Sequence, residues 1–432
     1  MTTEAAPSRD SESAIPAVGA YRWVICGLLF FGLVINYVDR QMLGVLGPTL
    51  REEFHWNQTQ FGDVVTWFQA AYALSYLFFG RFVDRVGARW GYAVAFTIWN
   101  LAHIAHGFAR GLTQFIAVRV ALGVGEAGVF PSGIKAVTEW FPKRERALAT
   151  GLFNAGSNIG AIVTPLIVPA ITLAYGWQMA FIATGVASFV WLAAWLLIYR
   201  RPRETTALSQ KELAYIEHDA VDAGATQRVP WLPLLTKRQT WAYALGKFLI
   251  DPIWWFFLFW LPSFFVDNYH LDLKTFGPPL VAVYVMSDLG SIWGGWFSSN
   301  LMKRGKSAGY ARKLTMLICA IAVTPIMFAM YVHNLWGAVA IVGLATAAHQ
   351  GFSANLYTLP GDVFPRAAVG SVIGIGGMLG GVGGMIMAKS VGQVLETAGG
   401  YGPIFAVCAG IYLLALAVVH VLTPKMDPVA KL

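Results

Sequence analysis

The chain is short of charge. Asp, Glu, Lys and Arg make up 12% of its 432 residues, where a soluble domain carries about 25%. That shortage argues against a solvated globular or disordered chain, and a mean hydropathy of +0.56 with 56% hydrophobic residues points to lipid. Cysteine is scarce too. Cys26, Cys319 and Cys408 lie far apart in apolar stretches, so neither metal-ligand spacing nor a disulfide framework is expected; they read as small buried hydrophobes. Residues 1–20 are polar and lack the basic-then-apolar pattern of a cleaved leader. Nucleotide loops are lacking as well. Gly374-Ile-Gly-Gly377 sits in an apolar run without a preceding strand, and Gly305-Lys306-Ser307 has Asn300 where a phosphate loop needs glycine. With no metal cluster and no nucleophile motif, neither an enzyme nor a bound cofactor is expected.

Long hydrophobic runs are what the chain has. A membrane helix needs about 20 apolar residues, and twelve segments qualify: 22–47, 62–83, 90–109, 112–137, 147–173, 177–199, 239–266, 276–301, 312–332, 335–360, 368–392 and 402–423. The expected fold is therefore all-α and integral to the lipid bilayer. The net charge of +8 invites a nucleic-acid reading, but its distribution opposes it. Of 31 Lys and Arg residues, three (Arg51, Arg110, Lys274) fall in loops on one side and five (Arg40, Arg119, Lys135, Lys247, Lys389) within spans; the remaining 23 fall on the side of the chain ends. Basic loops stay in the cytoplasm, so both termini are predicted cytoplasmic.

The stretch 200–238 is the most polar and divides the chain. It opens with Arg200, Arg201 and Arg203, and Ser209-Gln-Lys-Glu212 reads as a capping box for a short surface helix. The predicted organisation is a tail (1–21), a six-helix bundle (22–199), a cytoplasmic linker (200–238), a second bundle (239–423) and a tail (424–432). An internal repeat supports it: Glu139-Trp-Phe141-Pro142-Lys143 recurs 223 residues later as Asp362-Val-Phe364-Pro365-Arg366, and Gly151 and Gly160 map onto Gly374 and Gly383. Parallel repeats suit two bundles that rock about a central site.

Several charged residues lie inside the spans, where each costs about 3 kcal/mol on insertion scales unless it faces a partner or a watery cavity. Asp39 and Arg40 follow Asn36-Tyr37-Val in span one; Arg119 and Glu126, seven apart in span four, share one face. Burial raises a carboxyl pKa and a neighbouring Arg lowers it, so such a set suits proton exchange; a permanent ion-pair set is the structural alternative. In span seven, Lys247 and Asp251 are i and i+4 and can pair, Pro252 permits a bend, and Trp254 and Trp255 offer flat surface for a sugar ring or simply pack. Span ten carries His349, Gln350, Ser353 and Asn355, suited to reading hydroxyls or to hydrogen bonds between helices.

Gly80-Arg81-Phe-Val-Asp84-Arg85-Val-Gly87-Ala-Arg89 resembles the signature loop of the major facilitator superfamily. That resemblance implies two six-helix bundles and casts Gly80, Asp84, Arg85, Gly87 and Arg89 as a conformational latch; Trp90 departs from the common basic residue. Asn36-Tyr37-Val-Asp39-Arg40 resembles the family's anion:cation symporter branch, which implies proton carriers at Asp39 and Glu126 and an anion-binding Arg40. The span-seven, span-ten and Gly374–Gly384 runs resemble bacterial hexuronate transporters across residues 20–425. The resemblance further implies that Tyr37, Tyr72 and Arg119 line the cavity with Arg40, and that Ser157 or Asn158 presents a polar group from span five. The expectation is a monomeric inner-membrane symporter of a small organic anion, a hexuronate foremost, with the proton as coupling ion. Other organic acids, antiport, and a non-transporting sensor stand as alternatives.

Overall fold

A computed structural model describes residues 19–217, 231–397, 400–427 and 429; the remaining parts of the expected tails and linker lie outside the described residues. The first half contains α1 (Tyr21–Phe54), α2 (Gln58–His106), α3 (Leu112–Glu126), α4 (Val129–Trp140), α5 (Lys143–Tyr175) and α6 (Trp177–Ile198). Linker helices α7 (Gln210–Glu217) and α8 (Trp231–Leu235) follow. The second half contains α9 (Arg238–Tyr269), α10 (Gly277–Lys303), α11 (Ala308–Val323), α12 (Leu335–Val363), α13 (Arg366–Thr397) and α14 (Gly402–Leu422).

Ten helical stretches are long and apolar enough to cross a membrane. The two halves of α2 complete the twelve, because Gly87 at φ 81° and ψ 168° breaks that helix into spans two and three; a side chain there would be strained. Two spans differ from the sequence expectation. Span four is interrupted after Glu126, giving α3 and α4, and span nine tightens into a 3₁₀ turn over Thr324–Tyr331, where Pro325 withholds an N–H from the α-helical ladder.

The repeat survives in three dimensions. α4 ends at Trp140 and α5 starts at Lys143; α12 ends at Val363 and α13 starts at Arg366, the same 223-residue offset, with Phe141 and Phe364 both extended between them. Gly160 lies against the α1 backbone at Val34, and Gly383 against the α9 backbone at Phe248. Each bundle thus packs its fifth helix on its first through an equivalent glycine.

The capping box forms only in part. Ser209 Oγ accepts from the Glu212 N–H at 3.2 Å, but the Glu212 carboxylate turns away to accept from the Tyr21 and Arg22 N–H groups at 3.2 and 3.1 Å. Unpaired donors at a helix start attract an acid, so the Glu212 carboxylate caps α1 instead of completing the box on α7. Arg22 also joins Glu145 at 2.8 Å.

The start of α1, which α7 meets, and the end of α12, which Val429 meets, lie on one face, here the proximal face. Polar contacts between described residues of the two bundles gather at the opposite, distal end. Lys389 pairs with Asp63 at 2.5 Å and Arg51 with Asp267 at 3.4 Å. Thr59 donates from its N–H and hydroxyl to Glu396 at 3.0 and 2.7 Å. Beneath them the backbones of α2 and α13 nearly touch: a Cβ on Gly62 would stand 2.8 Å from Ala388 O, and one on Gly392 would stand 2.6 Å from Gln58 O. The distal side is closed.

Candidate functional site

At mid-depth, α1, α3 and α2 converge on a buried ion pair. Arg40 Nε donates to Glu126 Oε2 at 2.6 Å, and both side chains are almost wholly buried. The Arg40 guanidinium is 5.0 Å from the Tyr37 ring centre, 4.9 Å from Tyr72 and 5.2 Å from Trp255. Trp255 belongs to α9, so this cationic centre is ringed by aromatic faces from both bundles, each able to hold a cation through its π face. Glu126 Oε1 makes no well-formed hydrogen bond among the described residues, although the Asn36 side chain of α1 lies beside the carboxylate.

Deeper in the first bundle, Asp39 Oδ2 accepts from Trp99 Nε1 at 3.1 Å, and His103 Nε2 lies 3.3 Å from Asp39 Oδ1. Arg119 is fully buried, with its guanidinium 5.7 Å from the Phe68 ring. None of its three nitrogens meets a hydrogen-bond acceptor among the described residues. A buried cation without an acceptor is costly. Arg119 therefore stands ready for an anion or for a rearranged acid.

The second bundle presents a stripe. Lys247 Nζ pairs with Asp251 Oδ1 at 2.7 Å and donates to Tyr357 Oη at 2.6 Å. His349, Ser353 and Tyr357 recur every four residues along α12, which puts them on one face. His349 stacks on Trp254 at 5.3 Å and shares its Nδ1 with the Tyr412 hydroxyl at 2.6 Å. Tyr357 lies within electrostatic reach of Tyr37 and Tyr72 across the bundle boundary, so the stripe and the Arg40 centre face one another.

This geometry is that of a known family. Residues 29–388 match the family model described as Major Facilitator Superfamily. The chain belongs to that superfamily. It is a multi-pass membrane transporter and not an enzyme. Its similarity to the hexuronate transporter of Escherichia coli K12 is 32% identity over 410 residues, covering 92% of this chain and 93% of that protein. It is likewise 32% identical over 417 residues to a D-galactonate transporter of Escherichia coli O6:H1, covering 94% and 95%. Among solved structures, it resembles a bacterial homologue of the human lysosomal transporter Spinster in an inward-facing, occupied conformation. There the TM-score is 0.73 at 17% identity, covering 96% of this chain and all of that one.

Within the superfamily frame, the structure groups Tyr37, Asp39, Arg40, Tyr72, Arg119 and Glu126 in the first bundle, and Lys247, Trp254, His349 and Ser353 in the second. Gln350 is half-buried on α12. Two sequence expectations change. Asn355 commits its N–H groups to packing, donating to Gly294 O at 3.1 Å and Gly351 O at 2.9 Å and so tying α12 to α10, which leaves only its Oδ1 to accept from a hydroxyl. Ser157 spends its hydroxyl on Asn154 O of its own helix at 2.7 Å, which leaves half-buried Asn158 as the span-five candidate. Trp99, His103 and Tyr357 join the site although the sequence expectation did not include them, and Trp255, expected only as a flat surface for a sugar ring or as packing, faces the Arg40 guanidinium. A histidine in an apolar span was the available signal for His103; nothing local distinguishes Trp255 from its aromatic neighbours.

The Gly80–Arg89 segment, expected to act as a latch, sits at the proximal face. Asp84 Oδ1 is 3.5 Å from Lys135 Nζ of α4, and Arg89 Nη2 donates to Leu196 O at 2.5 Å. Arg85 and Gly87 line a cleft of about 470 Å³ shared with Lys135, Arg146 and Arg201. Gly80 has open space where a Cβ would go. The cleft is remote from Arg40 and mixes acids with bases, so it belongs to the latch region and not to the central site.

Proposed function

We propose that this transporter carries a sugar acid, a hexuronate such as galacturonate or glucuronate foremost, together with protons. The Arg40–Glu126 pair carries the reading: a buried cation between two bundles, held by an acid that a proton would neutralise. Protonation of Glu126 and Asp39 frees Arg40 to grip the substrate carboxylate, with Arg119 as the second cation. His349, Ser353, Gln350 and Asn158 read hydroxyls, and the Trp254 and Trp255 faces receive the ring. The bundles then rock about the site, and proton loss on the other side restores the acid–Arg pairs and expels the anion. A ligand moves such an equilibrium only through different affinities for its states, and the exchange of Glu126 for a substrate carboxylate supplies that difference.

The names of the relatives, a hexuronate and a D-galactonate transporter, favour a polyhydroxylated acid over an aromatic one. The basic loops support an inner-membrane orientation with the proximal face in the cytoplasm, on which reading the closed distal side is the outer one. Asp84, Arg85, Gly87 and Arg89 serve as the latch of the opposite form.

The test is uptake of labelled D-galacturonate by proteoliposomes under an inward proton gradient, competed by glucuronate, D-galactonate and 4-hydroxybenzoate. Gradient-dependent accumulation, competed best by glucuronate, is expected. Accumulation indifferent to the gradient would reject proton coupling, and preferential block by 4-hydroxybenzoate would reject the sugar acid.

A further inference from the structure

Three buried polar atoms outside the Arg40–Glu126 pair form a sequence from the distal end of α2 towards α1. His106 Nε2, His103 Nδ1 and Asp39 Oδ1 each lack a hydrogen-bond partner among the described residues. Trp99, His103 and His106 are spaced i, i+4 and i+7, so they share one face of the second half of α2. The face is tightly packed: the His106 ring stacks on Phe181 at 5.0 Å, and the His103 ring lies 5.3 Å from it.

His103 Nε2 stands between two oxygens, Thr184 Oγ1 at 2.9 Å and Asp39 Oδ1 at 3.3 Å. Thr184 donates its own proton to Ala180 O at 2.6 Å. Its oxygen is therefore the acceptor for His103, which carries its proton on Nε2. His106 holds Nδ1 against Ala102 O at 2.7 Å, leaving Nε2 to face away. The charged groups around this row are Arg119 and Glu126 from α3 and Arg40 beside Asp39 on α1; α6, which packs on its other side, contributes none. Buried polar atoms are nearly always paired. Two free imidazole lone pairs leading to a free carboxylate oxygen make a poor structural tie and a good proton relay.

We propose that His103 passes protons arriving from the distal side to Asp39, along a route inside the first bundle that avoids the substrate cavity. A proton enters at His103 Nδ1, with His106 Nε2 as the preceding station, and the Nε2 proton leaves to Asp39 Oδ1. The transfer ends with a neutral imidazole carrying its proton on Nδ1 and a neutral carboxylic acid at Asp39, so one proton has moved and none is left over. His103 acts through Asp39 and is a positioning and relay residue. The inference rests on the proton-coupled reading above.

The experiment compares wild type, His103→Gln, His106→Gln and Asp39→Asn in proteoliposomes with D-galacturonate. It reads the ratio of gradient-driven uptake to exchange at equal pH. In parallel, infrared spectra after a pH jump follow the carboxylic-acid band that Asp39→Asn removes. His103→Gln should lower the ratio about tenfold or more, as loss of a proton-transfer group does, and slow the appearance of the Asp39 band; His106→Gln should do both to a smaller degree. Unchanged ratio and band kinetics in His103→Gln, with a gradient-driven wild type, would refute the relay and leave symport standing. A wild type indifferent to pH would sink symport first, and the infrared kinetics alone would then decide the relay. If His103→Gln does not fold, His106→Gln carries the test, because it leaves every Asp39 contact in place; no effect there refutes the relay.

Discussion

The two bundles are built on one plan yet bury charge in opposite ways. In the second, Lys247 is fully engaged, with Asp251 and Tyr357 both on its ammonium. In the first, Asp39, Arg119 and Glu126 keep atoms without hydrogen-bond partners among the described residues. A satisfied buried pair holds helices in place, whereas an unsatisfied set is ready to exchange partners. Under the proposed mechanism, coupling falls to the first bundle and recognition to the second.

The harshest break in that contrast is Glu126→Gln. An amide keeps the shape but cannot ionise, so gradient-driven accumulation should disappear while substrate exchange persists. Normal accumulation by the variant would show that coupling lies elsewhere. Arg40→Ala comes next. Charge-assisted hydrogen bonds contribute about 1.5–3 kcal/mol each, so losing the grip on a carboxylate should weaken galacturonate binding roughly 100-fold, at 1.4 kcal/mol per decade. Calorimetry on the purified protein would read it, and unchanged affinity would reject Arg40 as the anchor.

In the second bundle, Asp251→Asn should act more mildly. The amide oxygen and Tyr357 both still accept from Lys247, so substrate affinity should change about tenfold at most, about 1.4 kcal/mol, while the pH dependence of uptake keeps its wild-type form. A lost pH dependence would erase the distinction between the bundles.

Much of this was legible in the chain. The charged residues of spans one, four and seven stood out because lipid makes each expensive. The linker and the repeat followed from composition and from Phe141-Pro142 and Phe364-Pro365 at their fixed offset. Residue pattern does not say which way a polar side chain turns when helix and neighbour both offer partners. Asn355 lies on the same helix as His349 and Ser353 yet turns its amide to the Gly294 carbonyl, because the glycines of α10 let it reach the backbone. His103 and Trp99 became part of the site only through α1 crossing their helix, a contact between residues 60 or more apart in sequence.

The smallest expected effect concerns which side is open. The distal contacts Asp63–Lys389, Arg51–Asp267 and Thr59–Glu396 are partly exposed, and such ion pairs contribute about 0.2–1 kcal/mol each. Asp63→Asn should therefore raise the distally open population only about two- to fivefold, read by spin-label distances across the distal ends or by labelling of a distal cysteine. Salt should do the same to the wild type, since exposed pairs are screened. The apolar layer beneath is indifferent to salt: Phe61 packs edge-on to Trp260 at 5.5 Å, and Gly62 and Gly392 admit the opposing backbones. If Asp63→Asn and salt both leave the distances unchanged, that layer holds the closure by itself, and the ion pairs are a rim that forms after the bundles have met.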